Sequence, residues 1–233
     1  MSTVPKHIGI IMDGNRRFSK RLMLKPWKGH EWGAQKFEHV LAWCKELGVE
    51  EVTLYAFSVQ NFQRTQEEFD VLMNIFRETA RKMKTRADAG EGTDICIQFI
   101  GRLGMFPQDI QDGFRDIMER TKDNVGFRVN IAVGYGGREE VLDAVKKIGE
   151  QLKAGTLDIN QINEETFGNA LYMDHEPDLI IRTGGDHRTS NFLIWQSHYS
   201  EWFFVEKLWP EFEKEDLVAV LADFAGRERR FGK

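Results

Sequence analysis

Two strings of polar residues each follow a short apolar run, and their residue types suit the handling of phosphorylated ligands. They are HIGIIMDGNRRF at 7–18 and DLIIRTGGDHRTSNFLIWQ at 178–196. In the first, Asp13 comes directly after the apolar run. Gly14 lets the backbone approach a ligand closely, and Asn15, Arg16 and Arg17 supply neutral and charged donors. Guanidinium groups bind phosphate bidentately, and a carboxylate beside them suits Mg2+, which favours carboxylate, water and phosphate oxygens. For Asp13 alone an Asx-turn at a strand end is the plainer alternative; the full DGNRR string weighs against it. In the second string Arg182 ends an apolar run and Gly184–Gly185 allow a tight turn. Asp186, His187, Arg188 and Ser190 follow. Arg182, Arg188 and Ser190 together suit a second phosphate group. A third set, Ser58, Asn61 and Arg64, lies in YAFSVQNFQR at 55–64. His30, at a helix start, offers a donor or a proton relay. Glu68, four residues after Arg64, reads as an ordinary surface pair. Glu201, in HYSEWFF, reads as a paired structural carboxylate or a metal ligand, with the structural reading ahead.

These groups need elements to hold them. Apolar runs at 8–12, 52–57, 95–100, 127–133 and 179–181 predict strands. Apolar residues at helical spacing predict helices over 30–47, 66–86, 107–122, 137–153 and 215–229. Such alternation predicts an α/β fold, one domain over 1–233, with a central, mainly parallel sheet covered by helices. In such sheets ligands bind beyond the carboxyl ends of the strands, where the polar strings fall.

The bulk composition narrows the function further. The chain has 233 residues, 41% of them hydrophobic, and a formal net charge of −5. An acidic balance argues against a general nucleic-acid binder. No apolar run approaches the ~20 residues of a membrane span, and the N-terminus lacks a signal-peptide layout. A cytoplasmic protein is expected, with peripheral contact at a membrane surface as the further option. Cys44 and Cys96 read as buried reduced thiols. There is no P-loop, no G-x-G-x-x-G and no nucleophile elbow. DHEPD at 174–178 looks metal-like but reads better as an acidic loop.

Taken together, HIGIIMDGNRRF, the Gly29–His30 pair, TLYAFSVQNFQR, GYGGRE, DLIIRTGGDHRTSNFLIWQ, LWPEF at 208–212 and the terminal RERRFGK resemble the cis-prenyltransferases, the undecaprenyl diphosphate synthase family. The resemblance spans nearly the whole chain, with the motifs in the family's order. It implies that isopentenyl diphosphate condenses with an allylic prenyl diphosphate to make a Z-configured polyprenyl diphosphate. It also implies Mg2+, a homodimer and an apolar tunnel for the growing chain. Phe69, Leu72, Met73, Phe76 and Ile97 are candidate lining residues.

The resemblance further implies residue roles. Asp13 matches the catalytic, Mg2+-associated carboxylate, and Asn61 the position that handles the proton. Gly14, Asn15, Arg16, Arg17, Phe18 and His30 match positions around the allylic diphosphate. Ser58, Val59, Gln60, Phe62 and Arg64 match the second substrate motif. Arg182, Arg188, Thr189 and Ser190 match the isopentenyl diphosphate site. Glu201 and, less firmly, His187 match metal-associated positions. Arg230 and Gly232 match a C-terminal motif that reaches a partner subunit's site.

Three departures stand out: Pro26 in place of a common arginine, Phe62 in place of a common tryptophan, and Asp186 in place of a common glutamate. Product length and starter are not legible from the sequence. A non-catalytic subunit of a prenyltransferase complex, an enzyme coupling an unusual pair of prenyl diphosphates, and a phosphohydrolase using Asp13 as nucleophile are the alternatives.

Overall fold

The structure, a computed structural model, describes residues 4–25 and 27–227. Six strands form one parallel sheet: β1 (His7–Ile11), β2 (Glu51–Ser58), β3 (Ile95–Ile100), β4 (Phe127–Tyr135), β5 (Leu179–Thr183) and β6 (Glu201–Val205). Their spatial order is β3-β4-β2-β1-β5-β6. The central strands are apolar along their whole length because both sheet faces are covered; every residue of β1 and β5 is buried. The sixth strand was not among the expected ones. Its sequence, EWFFV, sits at a sheet edge and is only partly buried.

The helices are α1 (Asn15–Arg21), α2 (Lys28–Glu46), α3 (Gln66–Asp88), α4 (Gln108–Thr121), α5 (Gly137–Lys153), α6 (Glu164–Gly168) and α7 (Lys214–Gly226). The five longer ones match the expected segments within a few residues. For the last, expected to reach residue 229, the described helix ends at Gly226. On one face of the sheet Ile8, Ile10, Leu54 and Ile131 pack beneath apolar stripes of α2, α3, α4 and α7. On the other, Ile11, Ala132, Tyr135 and Ile180 pack against Met173, Phe192 and Leu193. Each fully buried aliphatic side chain contributes about 1.5–3 kcal/mol of hydrophobic stabilisation. Trp209, fully buried, donates its indole N–H to the Gly33 carbonyl at 2.9 Å and so fixes α2 on the segment before α7. Cys44 is buried as expected, whereas Cys96, on the strand β3 near the edge, is only half-buried; both are free thiols.

The sheet has a switch point. From β1 the chain passes to β2 on one side, while β5 and β6 lie on the other. A crevice therefore opens beyond the carboxyl ends of β1 and β5, the place where open α/β sheets bind ligands. In register, Ile11 stands beside Arg182, so Asp13 and Arg182 meet at its centre.

Candidate active site

A cavity of about 960 Å3 occupies this crevice. Its lining joins all three polar strings: Asp13, Gly14, Asn15, Arg16 and Arg17 from the first, His30, Ser58, Gln60, Asn61 and Arg64 from α2 and the end of β2, and Arg182, Arg188 and Ser190 from the second.

Asp13 and Arg182 form the centre. Arg182 is only 3% exposed, and its Nη2 donates to Asp13 Oδ2 at 2.8 Å. Its Nη1 donates to Ser190 Oγ at 2.6 Å and to the Arg188 carbonyl. The buried Nε of Arg182 has no protein partner. Asp13 Oδ1 accepts from the Gly14 N–H at 2.6 Å and lies 3.4 Å from Arg17 Nη2. Burial alone would push the Asp13 carboxyl up. The hydrogen bond and charge of Arg182, then Arg17 and the Gly14 N–H, outweigh it and hold the group below its usual range. Asp13 is therefore ionised at neutral pH.

The glycines here are conformational requirements. Gly14 has φ 110°, and a Cβ would come within 2.9 Å of the Leu208 backbone. Gly184 has φ 91°, and a Cβ there would meet Arg17 Nη2 at 2.5 Å. Arg17 instead donates to the Gly184 carbonyl at 2.5 Å. Asp186 joins the same cluster: both its oxygens accept from Arg188, at 3.0 and 2.9 Å, and Oδ2 also accepts from Arg17 at 3.2 Å. Two carboxylates thus share three guanidinium groups, an excess of positive charge suited to a polyanion.

A second cluster flanks the cavity. His30 Nε2 lies 3.1 Å from Glu68 Oε1 and 3.0 Å from Arg64 Nη1, and Arg64 donates to Glu68 at 2.8 Å. Arg16 stands 3.8 Å from the same carboxylate. Glu68 is 3% exposed, so the expected surface pair is a buried hub. The His30 hydrogen bond, working against burial and helped by Arg64 and Arg16, holds the Glu68 carboxyl below its usual range. Burial pushes His30 below its usual value. The Glu68 hydrogen bond opposes this shift, while the neighbouring arginine charges reinforce it. Neutral His30 leaves Arg64 and Arg16 to supply the charge. On the short turn Val59–Gln63, Asn61 Oδ1 accepts from the Ser58 N–H at 2.9 Å in a reciprocal cap that fixes both residues.

The loop that carries Ser190 adopts left-handed backbone at Ser190, Asn191 and Leu193, a conformation that persists only where neighbours enforce it. Asn191 supplies much of that enforcement. Its carbonyl accepts from the Gly137 N–H at 2.7 Å and its Oδ1 from the Arg138 N–H at 2.8 Å. Further along, Gln196 donates to Glu140 at 3.1 Å and to the Met173 carbonyl at 2.9 Å.

Several expected site residues lie elsewhere. Phe18 packs on Trp32, 4.9 Å between ring centroids. Phe62 packs on Phe57 at 4.9 Å, on the core side. Neither these nor Val59 and Thr189 line the cavity. Glu201 does not join Asp13: it begins β6 opposite Leu179, at the far end of the sheet, and accepts from Arg227 at 2.7 Å. His187 stacks on Phe204 at 4.7 Å and lies 3.9 Å from Glu206, also off the cavity. Arg230, Gly232 and Pro26 lie outside the described residues. Of the five candidate tunnel residues, Leu72 alone lines the cavity; Met73 is in the core, and Phe69, Phe76 and Ile97 pack against it. Lys20, Leu24, Tyr55, Asp186 and Asn191 line it without having been singled out as ligands.

The profile of a protein family described as "Putative undecaprenyl diphosphate synthase" matches residues 11–232. The chain belongs to this family. It is 44% identical, over 99% of its length and 85% of the relative's, to the tritrans,polycis-undecaprenyl-diphosphate synthase (geranylgeranyl-diphosphate specific) of Methanopyrus kandleri. It is 43% identical to an isoprenyl transferase of Thermus thermophilus, over 99% and 89% of the two chains. Among solved structures, lavandulyl diphosphate synthase from Lavandula x intermedia, in complex with dimethylallyl diphosphate, superposes with a TM-score of 0.93 at 34% identity, covering 99% of each chain. A probable undecaprenyl diphosphate synthase from Campylobacter jejuni gives 0.79 at 30% identity, covering all of both. The α/β architecture with a six-stranded parallel sheet is thus that of the cis-prenyltransferases.

Among the described residues no group of three or more His, Cys, Asp or Glu side chains is placed to hold a metal. The donor set instead fits Mg2+ bound through one carboxylate, Asp13, with water and phosphate oxygens completing the shell.

Proposed function

We propose that this cis-prenyltransferase condenses isopentenyl diphosphate with an allylic prenyl diphosphate in the cavity at the β1–β5 switch point. The observation that supports this most is the Asp13–Arg182 pair. It joins two sets of phosphate-competent donors, one on the segment after β1 and one on the segment after β5, so two diphosphates can sit on either side of one ionised carboxylate. Asn15, Arg16 and Arg17, with His30 and Arg64 behind them, take the allylic diphosphate. Arg182, Arg188 and Ser190 take isopentenyl diphosphate.

In the reaction the allylic C–O bond breaks, diphosphate leaves with the electron pair, the isopentenyl double bond forms the new C–C bond, and one proton is lost. Preorganised guanidinium groups stabilise the charge that gathers on the leaving diphosphate. Asn61, fixed by its cap with Ser58, guides the departing proton. Mg2+, when bound at Asp13, would neutralise diphosphate charge.

The protein's assembly and location extend the same reading. A homodimer is supported by exposed Tyr199, two residues before the edge strand β6, and sedimentation velocity at a mass of one chain would contradict it. Among the described residues no helix is long and apolar enough to cross a membrane. Peripheral contact is supported by exposed Leu22, Met23 and Leu24 between Lys20 and Lys25, since Lys20 and Leu24 border the cavity.

Steady-state kinetics test the assignment of the two halves. Ser190→Ala should raise KM for isopentenyl diphosphate by about 10-fold, the worth of one charge-assisted hydrogen bond, and leave KM for the allylic substrate unchanged. Arg16→Ala should do the reverse. Equal rises in both constants for both variants would contradict the assignment.

A further inference from the structure

We infer that Asn191 and Glu139 are positioning residues for the isopentenyl diphosphate half of the site, held there by the glycine-rich turn at 134–139. The inference rests on the elongation reading above and gives a role to a sequence motif, GYGGRE, that the two diphosphate clusters leave unused.

Ser190 carries the hydroxyl that accepts from Arg182, and it stands on backbone that must be held in place. Ser190 has φ 49° and Asn191 φ 63°, a region that side chains avoid unless local hydrogen bonds favour it. Next to them Phe192 is fully buried, its ring stacked on Tyr55 at 4.8 Å. That ring anchors one end of the segment from Arg188 to Phe192. Asn191 anchors the part nearer Ser190. Its carbonyl accepts from the Gly137 N–H at 2.7 Å, its Oδ1 accepts from the Arg138 N–H at 2.8 Å, and its Nδ2 donates to Glu139 Oε2 at 2.8 Å. Three successive residues of one turn thus hold a single asparagine by its backbone and both ends of its amide. Asn191 lines the cavity, so a shift of this residue moves the wall of the pocket and the hydroxyl beside it.

The turn reaches this loop because of where the sheet ends and because two of its residues have no side chain. Tyr135 closes β4 in register with Ser58 of β2, so the residues that follow emerge at the rim of the crevice. A Cβ on Gly136 would come within 2.2 Å of Glu139 Oε2 and 2.8 Å of Asn191 Nδ2, and one on Gly137 within 2.8 Å of the Ile194 side chain. Glu139 then decides which way the Asn191 amide points. An amide has a donor end and an acceptor end. With Nδ2 turned to the carboxylate, Oδ1 faces the Arg138 N–H; the reverse orientation would set two donors against each other. The plainer reading of Glu139 is a first-turn carboxylate that complements the dipole of α5. That reading does not account for its bond to a residue 52 positions away that borders the cavity.

The KM for each substrate, measured with Mg2+ and the other substrate saturating, separates the two readings. Glu139→Ala should raise KM for isopentenyl diphosphate by about 5-fold, in the range of one lost hydrogen bond, with kcat and the allylic KM within about 2-fold of wild type. Glu139→Gln keeps an acceptor for Nδ2 and should restore the wild-type KM, although it removes the charge that the helix dipole favours. Asn191→Gly permits the left-handed backbone but loses the amide, and should raise the same KM by about 10-fold. Adding Glu139→Ala to Asn191→Gly should raise it no further, because Glu139 acts through the amide. Thermal melts report that each variant folds. An unchanged KM for isopentenyl diphosphate in folded Glu139→Ala and Asn191→Gly overturns the inference. Equal rises in both KM values, a Gln variant as impaired as the Ala one, or additive effects in the double variant do the same. No condensation by the wild type with any starter would instead overturn the elongation reading on which the inference rests.

Discussion

The mouth of the cavity and the aromatic core of the domain are built on opposite principles. At the mouth Asp13, Asp186, Arg17, Arg182 and Arg188 satisfy one another through hydrogen bonds that a diphosphate can replace. In the core Phe57, Phe106 and Phe114 touch through rings that nothing can replace without opening a void or forcing a shift. Charges at the mouth are arranged for exchange, and the rings are arranged for permanence. Chemistry should therefore be lost at the mouth with little loss of fold, whereas changes in the core should cost stability first.

The largest expected effect lies at the mouth. Asp13→Ala should lower kcat by about 10^3-fold, in line with the loss of a preorganised charge at a reacting centre, while circular dichroism shows the fold intact. Substantial residual condensation would erase the distinction between mouth and core.

Glu68 sharpens the comparison because it belongs to both. It is buried like the core and charged like the mouth. Glu68→Ala leaves Arg64 without its buried partner and should cost about 3–5 kcal/mol in urea unfolding. Glu68→Gln should recover much of that loss, since it keeps an acceptor for His30 and Arg64.

Acid should weaken the fold before it reaches the carboxylates. Burial holds His30 near the mouth, and His7 at the opposite end of the sheet, below the ordinary imidazole value of 6.5. Just below that pH the unfolded chain binds more protons than the folded one, so stability rises with pH there and falls as pH drops from about 6.5. Urea midpoints at pH 7.5, 6.0 and 5.0 should decline in that order. A flat profile would contradict the burial of neutral imidazoles. The smallest effect belongs to the solvated pair Lys28–Glu31, 2.9 Å apart on α2. Lys28→Ala should change stability by less than about 1 kcal/mol.

Much of this was legible in the sequence, for physical reasons. The strands β1, β2 and β5 show themselves because strands buried on both faces read as unbroken apolar runs. The groups that line the cavity follow those runs directly. The helix α1 was hidden because NRRFSKR has no apolar period; Asn15, Arg16, Arg17 and Lys20 of it line the cavity, and it packs on α2. The strand β6 was hidden because an edge strand buries less, and an aromatic stretch has several readings. Glu201 starts that strand at the far end of the sheet and pairs there with Arg227, in keeping with its reading as a paired structural carboxylate. Glu68 was taken for a solvated partner of Arg64 because spacing along a helix reports which residues are neighbours but not which face is covered. The apolar spacing of Phe69, Leu72 and Phe76 marks one covered helix face, of which Leu72 alone lines the cavity. Sequence spacing alone does not show whether that face lines open space or packs against Phe57 and Phe106.

The measurement that tests the account most directly is transfer of label from isopentenyl diphosphate into organic-extractable product by wild type and Asp13→Ala at equal folded concentration, with Mg2+ and a geranylgeranyl or shorter allylic starter. The account predicts carbon–carbon bond formation by the wild type and near-complete loss in the variant. Release of phosphate without incorporation, or equal incorporation by both proteins, would contradict it.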